Sequence, residues 1–203
     1  MTTRIVPANE ASWDDIAAIF GTRGVAAGCH CQWYKTRPTT WDGQQGTAIV
    51  EERARQHRLQ TRAGEPDAAT TTGLIAYVDD EPAGWVAVEP RTAYPRLQRK
   101  PLVWQDRPAE DKADDTIWAV TCFVVRVGYR KRGLMVELAR AAAAFARSRG
   151  ARAIEAYPMQ MDEGKEATWG ELFVGKDTAL AAAGFREVTH PTPRRSVMRI
   201  DFD

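Results

Sequence analysis

Basic side chains gather next to a glycine, between a predicted buried strand and a predicted long helix. The strand is the apolar run from Trp118 to Val125, and the helix runs from Leu134 to Gly150 at helical spacing. A helix N-terminus offers unpaired N–H groups, and Gly133 lets the backbone lie close to a ligand. The cations of the turn are Arg126, Arg130, Lys131 and Arg132. These residue types at this spacing predict a site for a phosphate or pyrophosphate group.

The residues alone leave a second interpretation of this turn open. Strand–turn–helix units with a basic turn are common without any ligand, so the pattern by itself does not decide. The turn is not a P-loop, because no Gly-Lys-Ser/Thr follows it, and it lacks the three spaced glycines of a dinucleotide-binding fold. A phosphate site here would be of another kind.

The cysteines do not predict a metal centre or a disulfide framework. Cys29 and Cys31 flank His30, but ligands one residue apart make poor chelate geometry, and no second spaced pair is present. Cys122 lies in the apolar strand, where packing is its expected role. We expect reduced thiols and no metal.

Composition limits the classes of protein to which the chain can belong. Its 203 residues fit one domain spanning 1–203, and the net charge of +1 gives no reason to expect a nucleic-acid or membrane partner. No apolar run reaches membrane-spanning length, and the N-terminus lacks the core of a signal peptide. A cytoplasmic location is the default expectation.

Around the turn, short strands and helices predict one mixed α/β (α+β) domain. A central, twisted, mostly antiparallel sheet flanked by helices accommodates them. The predicted strands are 1–10, 74–78, 83–89, 118–125, 152–157, 185–188 and 197–200, and the predicted helices begin at Ser12 or cover 47–63, 134–150 and 176–183.

Two long connections complete the chain. Residues 21–46 carry Trp33, Tyr34 and Trp41, which predicts a lid or an acceptor-binding wall, or alternatively rings that close the core. Residues 90–116 contain prolines and many charges that exclude a long regular element, and their acidic end is expected to be solvated. His57 lies among charges, so we expect it at the surface.

The run from Val125 to Met135 resembles the acyl-CoA motif of the GNAT N-acetyltransferase superfamily, Arg/Gln-x-x-Gly-x-Gly/Ala. Arg130 and Gly133 fit this motif, whereas Met135 departs from its last small residue. The resemblance extends roughly over 73–202. It implies a single GNAT-like domain that transfers an acyl group from acetyl-CoA to an amine.

The resemblance also implies which residues hold acetyl-CoA. Strands that flank the cofactor strand splay apart in GNAT-like proteins, so free backbone groups can pair with the pantetheine arm. The N–H of Phe123 is the expected donor to the oxyanion. The implied contacts are Phe123, Val124 and Val125 for pantetheine, and Arg130, Lys131, Arg132, Gly133, Leu134 and Met135 for pyrophosphate.

The usual catalytic groups of the resembled family are missing. The position of the usual acid, a tyrosine, is Leu180 here, and the cofactor strand carries no carboxylate. Glu155 or Glu89 is the predicted base, directly or through water, and Tyr157 the predicted acid; His30 is a weaker base candidate. Alternatively, these glutamates pair with arginines, and Tyr157 is partly buried in the core without a catalytic role.

Three functions compete for the acceptor side. The first is transfer to a primary amine of a small molecule by direct attack in a ternary complex, with Trp33, Tyr34 and Trp118 as acceptor contacts. The second is a protein lysine or N-terminal acetyltransferase, and the third a non-catalytic acyl-CoA-binding sensor. The two long connections favour the first, because they can narrow a peptide groove. A homodimer is also compatible with the sequence.

Overall fold

A single seven-stranded sheet organises the computed structural model, which describes residues 2–36, 46–160 and 172–203. The spatial order of the strands is β1-β2-β3-β4-β5-β7-β6, and every neighbouring pair is antiparallel except β4 and β5. The strands are β1 (Thr3–Pro7), β2 (Leu74–Val78), β3 (Glu81–Pro90), β4 (Ile117–Val125), β5 (Ala153–Ala156), β6 (Arg186–Thr192) and β7 (Arg195–Asp201). The predicted mixed, mostly antiparallel sheet is confirmed.

Seven α-helices in the described part of the chain cover this sheet and its loops. They are α1 (Trp13–Phe20), α2 (Gly24–Cys29), α3 (Thr47–Thr61), α4 (Pro95–Gln98), α5 (Pro101–Trp104), α6 (Leu134–Ser148) and α7 (Asp177–Ala182). Short 3-10 turns lie at Ala8–Glu10, Arg91–Ala93 and Val127–Tyr129. The Ser12 side chain caps α1 by accepting from the N–H of Asp15 at 3.0 Å.

Strand β4 is paired differently along its two halves. It pairs with β3 from Pro90↔Trp118 to Gly84↔Val125, but with β5 only from Ile117↔Ala153 to Val120↔Ala156. Beyond Val120, the two parallel neighbours part. We call Ile117–Val120 the closed half of β4 and Thr121–Val125 the open half.

The two faces of the sheet pack against different helices. Helix α6 places Leu138, Ala142 and Ala146 in one core with Phe123 and other strand residues. Helix α1 places Ile16 and Phe20 against the opposite face, in a core that includes Trp85 and Val124. Gly84 allows the close approach of α6, because a Cβ there would lie 3.1 Å from Leu134 and Leu138 side-chain atoms. Alternation along β4 thus sends Phe123 to α6 and Val124 to α1.

Most predicted elements begin and end within a few residues of their predicted bounds. Two expectations, one about the connection 21–46 and one about His57, are wrong. The connection 21–46 is not a plain loop, because α2 lies within it. His57 is not at the surface but fully buried, because the ring of Phe20 and that of Trp85 both pack edge-on to it at 4.8 Å. Trp41 lies outside the described residues. Within those residues, no helix combines the length and apolar character needed to cross a membrane.

Candidate active site

Two cavities lie side by side against the open half of β4. The turn cavity, of about 540 Å³, is lined by the end of α1, residues 21–26 and the basic turn, including Arg126 and Arg130. The inner cavity, of about 510 Å³, is lined by α2, Trp33, Tyr34 and the β4 residues Thr121 and Cys122. Residues that line both cavities are Phe20, Val25, Ala26, Val124 and Phe173. One cavity therefore meets the predicted phosphate site, and the other continues along the same strand.

The start of α6 is arranged as the turn pattern predicted. Gly133 has a φ of +80° with open space around its missing Cβ, and its carbonyl accepts from the N–H of Val136 at 2.8 Å. Since amides before Val136 precede the helical ladder, they can face an anion. Arg130 Nε donates to the carbonyl of Val125 at 3.0 Å, which ties the turn to β4. Lys131 and Arg132 are exposed beside Gly133.

The predicted contacts of this turn differ in what they can offer. Arg130 lines the turn cavity, together with Val124 and Val125. Leu134 is buried in the core, so only its backbone can meet a ligand. Met135 is half-buried and packs at the edge of the same core.

The backbone of the open half is less free than expected. The N–H of Phe123 donates to the carbonyl of Phe173 at 2.6 Å, so in this structure it is not an available oxyanion donor. Backbone groups alternate along a strand. Those of Val125 therefore point to the same side as those of Phe123, away from β3, and those of Val124 point to β3. Val124 therefore contributes its side chain, not its backbone, to the cavities.

Residues 173–175 fill the space into which β4 and β5 splay. The N–H of Met159 donates to the carbonyl of Gly175 at 3.2 Å, which fixes this segment on the β5 side. Gly175 has a φ of +91°, and a Cβ there would lie 3.1 Å from the ring of Phe123. A pantetheine arm that pairs with Phe123 must therefore displace the Phe173 carbonyl. Trp169 and its neighbours in 161–171 lie outside the described residues.

A buried polar cluster reaches the inner cavity from β3. The Glu89 carboxylate accepts from the Thr72 hydroxyl and forms a salt bridge with Lys35. The Tyr94 hydroxyl faces Glu89 and Thr121, yet this fully buried oxygen makes no regular hydrogen bond to a described residue. Burial, with Glu89 nearby, raises the pKa of Tyr94 well above its usual range. Because Thr121 lines the inner cavity, this cluster connects the Glu89 carboxylate with the cavity wall.

The structure places Glu155 and Tyr157, the other predicted catalytic pair, elsewhere. Glu155 is fully buried and forms salt bridges with Arg107, with Arg91 at 3.4 Å and with Arg199 at 3.2 Å. Tyr157 donates its hydroxyl proton to Glu155 at 2.8 Å, and burial raises the pKa of Tyr157 well above its usual range. Neither residue lines the inner or the turn cavity. Their prediction as base and acid is not supported, because arginines already hold the carboxylate.

Glu110 extends this ion cluster and corrects another expectation. Its carboxylate pairs with Arg91 and Arg107 at 3.2 Å each and with Arg199 at 3.1 Å, so this residue of the acidic end of 90–116 is not simply solvated. These charges hold the connection between β3 and β4 against β5 and β7. The cluster is a structural feature of the closed half of β4.

Two of the three predicted acceptor contacts line the inner cavity. Trp33 and Tyr34 both do so, and burial raises the pKa of Tyr34 to about 12, which keeps its hydroxyl protonated. Trp118 does not line either cavity, because it lies in the closed half and packs edge-on against Phe145 of α6 at 5.8 Å. Trp118 as an acceptor contact therefore stays a prediction, and it would need a site other than these two cavities.

Burial holds Cys29 and His30, near the inner cavity, in their neutral forms. Burial raises the pKa of Cys29 to about 11 and lowers the pKa of His30 to about 4. His30 stacks on Phe20 at 5.0 Å, so it supports the cavity wall. All three cysteines are free thiols. In the described ranges, no group of three or more His, Cys, Asp or Glu side chains is placed to hold a metal ion.

Sequence reasoning missed Tyr94, Thr121, Lys100 and Arg195 as parts of this site. For Thr121 a usable signal existed, because it is the only polar side chain other than a thiol in the apolar run that forms the open half of β4. The other three come from separate segments of the chain, and no local pattern connects them.

Comparison with known proteins identifies the family. The sequence model described as acetyltransferase (GNAT) family matches residues 32–167. No curated protein matches the chain.

Solved structures show the same fold at low sequence identity. The aminoglycoside acetyltransferase AAC(6')-Ib in complex with coenzyme A is 16% identical, with a TM-score of 0.53 over 98% of this chain and 95% of that one. The same enzyme with coenzyme A and kanamycin gives 14% identity, a TM-score of 0.53 and coverages of 98% and 95%. A GCN5-related N-acetyltransferase from Kribbella flavida is 16% identical, with a TM-score of 0.52 over 98% of each chain. At these identities the likeness establishes the fold.

Proposed function

Since this chain belongs to the acetyltransferase (GNAT) family and is an acyl-CoA-dependent acetyltransferase, we propose that it acetylates the primary amine of a small molecule. The observation that carries the proposal is the pair of neighbouring cavities. The turn cavity is lined by residues 126–130 of the basic turn that leads to α6, and the inner cavity shares the wall formed by Val124 and Phe173. A donor in the first cavity can thus meet an acceptor in the second along the open half of β4.

The basic turn and the start of α6 fit the pyrophosphate of acetyl-CoA. Gly133 leaves the helix start uncovered, and Arg130, Lys131 and Arg132 supply positive charge for a pyrophosphate. The N–H of Val125 points toward the splay, where an amide-containing arm can accept from it, whereas the Val125 carbonyl accepts from Arg130. Bound there, acetyl-CoA supplies the thioester that the amine attacks.

Proton transfer is assigned to the Glu89 cluster. A neutral amine must lose a proton as it attacks the thioester carbonyl, and a carboxylate can take that proton through hydroxyl groups or water. Thr121 lines the inner cavity, Tyr94 lies between Thr121 and Glu89, and burial keeps Tyr94 protonated. Tyr94 is therefore suited to relay a proton rather than to be the base. Of the predicted bases, this leaves Glu89.

The shape of the inner cavity favours a small acceptor. Helix α2 and the residues around Trp33 and Tyr34 form one wall, and Lys100 and Arg195 contribute to another. A peptide acceptor needs an open groove for its backbone on both sides of the reacting amine. A volume of about 510 Å³ falls in the range of small-molecule pockets.

Thiol release with saturating acetyl-CoA tests the proposal against a library of small amines and a set of lysine and N-terminal peptides. We expect turnover with a small amine and a rise in the unfolding midpoint on addition of acetyl-CoA. Efficient acetylation of peptides alone would favour the protein acetyltransferase alternative. Acetyl-CoA binding without turnover of any amine would favour a sensor. A cytoplasmic location and a homodimer stay predictions.

A further inference from the structure

Three basic side chains line the inner cavity and are absent from the wall of the turn cavity, and two of these three lie close to each other. Lys100 lies between α4 and α5, and Arg195 begins β7. Each forms no salt bridge with a carboxylate of the described residues. They come from distant parts of the chain, so the fold brings them together at the cavity.

The charges around this cavity are all of one sign in the part of the chain that the structure describes. Its described lining contains Arg53, Lys100 and Arg195, and no Asp or Glu. Burial, with the positive charges of Arg195 and Arg96 nearby, lowers the pKa of Lys100. Lys100 and Arg195 are both half-buried and close enough to repel each other, and an anion bound between them would offset that repulsion. The wall is thus built for a negatively charged group.

That group belongs to the acceptor rather than to acetyl-CoA. The proposed site for the phosphates of the donor is the basic turn, of which Arg126 and Arg130 line the turn cavity, together with the start of α6 that follows it. Building on the proposed function, we propose that the acceptor is an amine that also carries a carboxylate, and that Lys100 and Arg195 bind this carboxylate.

The remaining lining describes the rest of the acceptor. Phe20, Val25, Trp33 and Val124 present apolar or aromatic surface between the β4 wall and the cations. Tyr34 lies close to Arg195 and keeps its hydroxyl proton, so it can donate a further hydrogen bond. These features fit an amino acid or a related amino carboxylic acid with an apolar body. A polycationic amine such as kanamycin would be repelled by Lys100 and Arg195.

The acceptor class can be tested by paired substrates. Thiol release is measured with saturating acetyl-CoA and α- and ω-amino acids, each beside its carboxamide, with kanamycin as the polycation. We expect at least one amino acid to exceed its carboxamide in kcat/KM by tenfold or more. A consistent preference for carboxamides or for kanamycin would overturn the inference while leaving the acetyltransferase activity intact.

Variants then assign the carboxylate to these two side chains. Lys100→Met and Arg195→Gln are compared with Arg186→Gln, which changes an exposed arginine on the same hairpin as Arg195. We expect the KM for the amino acid to rise roughly tenfold to a hundredfold in the first two, as for loss of one charge-assisted hydrogen bond, with KM for the carboxamide unchanged. Equal effects on both substrates would contradict the assignment.

Binding measurements keep the inference testable if turnover is absent or a variant is unstable. Each protein is first checked for a rise in its unfolding midpoint with acetyl-CoA. If the wild type shows no such rise, the proposed function is contradicted rather than the inference about the carboxylate. N-acetyl amino acids are then compared with their carboxamides in the same assay. A larger shift with the carboxylates supports the inference, and equal or absent shifts overturn it.

Discussion

Two glutamate clusters flank β4, and they differ in what surrounds the carboxylate. Glu155 on β5 and Glu89 on β3 both pair with Ala119 of β4. In the closed cluster, Glu155 meets three arginines and the hydroxyl of Tyr157, and none of these groups lines the inner or the turn cavity. In the open cluster, Glu89 meets Lys35 and Thr72, and the nearby Tyr94 hydroxyl leads to Thr121 in the open half of β4. We expect the first cluster to stabilise the fold and the second, which reaches a cavity, to act on a substrate.

The largest effect is expected from breaking the closed cluster. Glu155→Ala leaves Arg91 and Arg107 buried without their carboxylate, which should lower the free energy of unfolding by about 3–5 kcal/mol. Urea unfolding measures this loss, and Glu65→Ala, which removes an exposed partner of Arg62, is the control. The kcat of the folded fraction should change little. A loss of kcat without a loss of stability would instead indicate a catalytic role for the closed cluster.

Breaking the open cluster should affect the reaction instead. Glu89→Gln keeps the shape of the side chain but removes the proposed base, so we expect kcat to fall about 100-fold, or about 2.7 kcal/mol. Glu81→Gln, at the exposed start of the same strand, is the matched control and should retain full activity. Steady-state thiol release gives both values. Unchanged turnover in Glu89→Gln would remove the last predicted base.

The contrast between the clusters also explains how far the sequence could predict this region. The basic turn and α6 are contiguous, so residue types and helical spacing sufficed to predict the turn and the helix start, whereas phosphate binding there stays a prediction. Glu155 and Tyr157 were chosen because their strand lies beside the cofactor strand. What decided their role was a set of arginines from other segments, Arg91, Arg107 and Arg199, which no local pattern connects with β5.

Burial is the other property that local patterns did not reveal. The sequence around His57 is strongly charged and predicted a surface position, yet its side chain turns into the core behind the cavity wall. Lys100 and Arg195 are ordinary basic residues in sequence and become notable only as neighbours at one cavity. Contacts between distant segments therefore form the proposed acceptor side, whereas contiguous residues form the proposed donor side.

Acid should lower the free energy of unfolding through two buried histidines, His57 and His30. Burial lowers the pKa of His57 well below its usual range and that of His30 to about 4. Below pH 6.5 the unfolded chain takes up protons that the folded chain refuses, so stability falls as pH falls. Each histidine contributes about 1.4 kcal/mol per pH unit, or roughly 2 kcal/mol by pH 5.

His57→Phe tests the share of one histidine. We expect the slope of the unfolding free energy against pH, measured between pH 6.5 and 5, to fall by about half of the combined histidine contribution. His190→Gln, a change at an exposed histidine, controls for the substitution itself. A slope identical to that of the wild type would mean that His57 takes up a proton in the folded state.

The smallest effect gives the sharpest distinction between the two clusters. Tyr94→Phe removes a buried hydroxyl that makes no regular hydrogen bond, so the free energy of unfolding should stay the same or rise. If this hydroxyl relays a proton between Thr121 and Glu89, kcat should nevertheless fall about tenfold, or about 1.4 kcal/mol. Tyr157→Phe is the matched variant in the closed cluster, and it should lose stability and keep its kcat, because its hydroxyl donates to Glu155. A loss of kcat only in Tyr94→Phe and a loss of stability only in Tyr157→Phe would separate a group held for catalysis from one held for the fold. The same losses in both variants would show that the two clusters do not differ in this way.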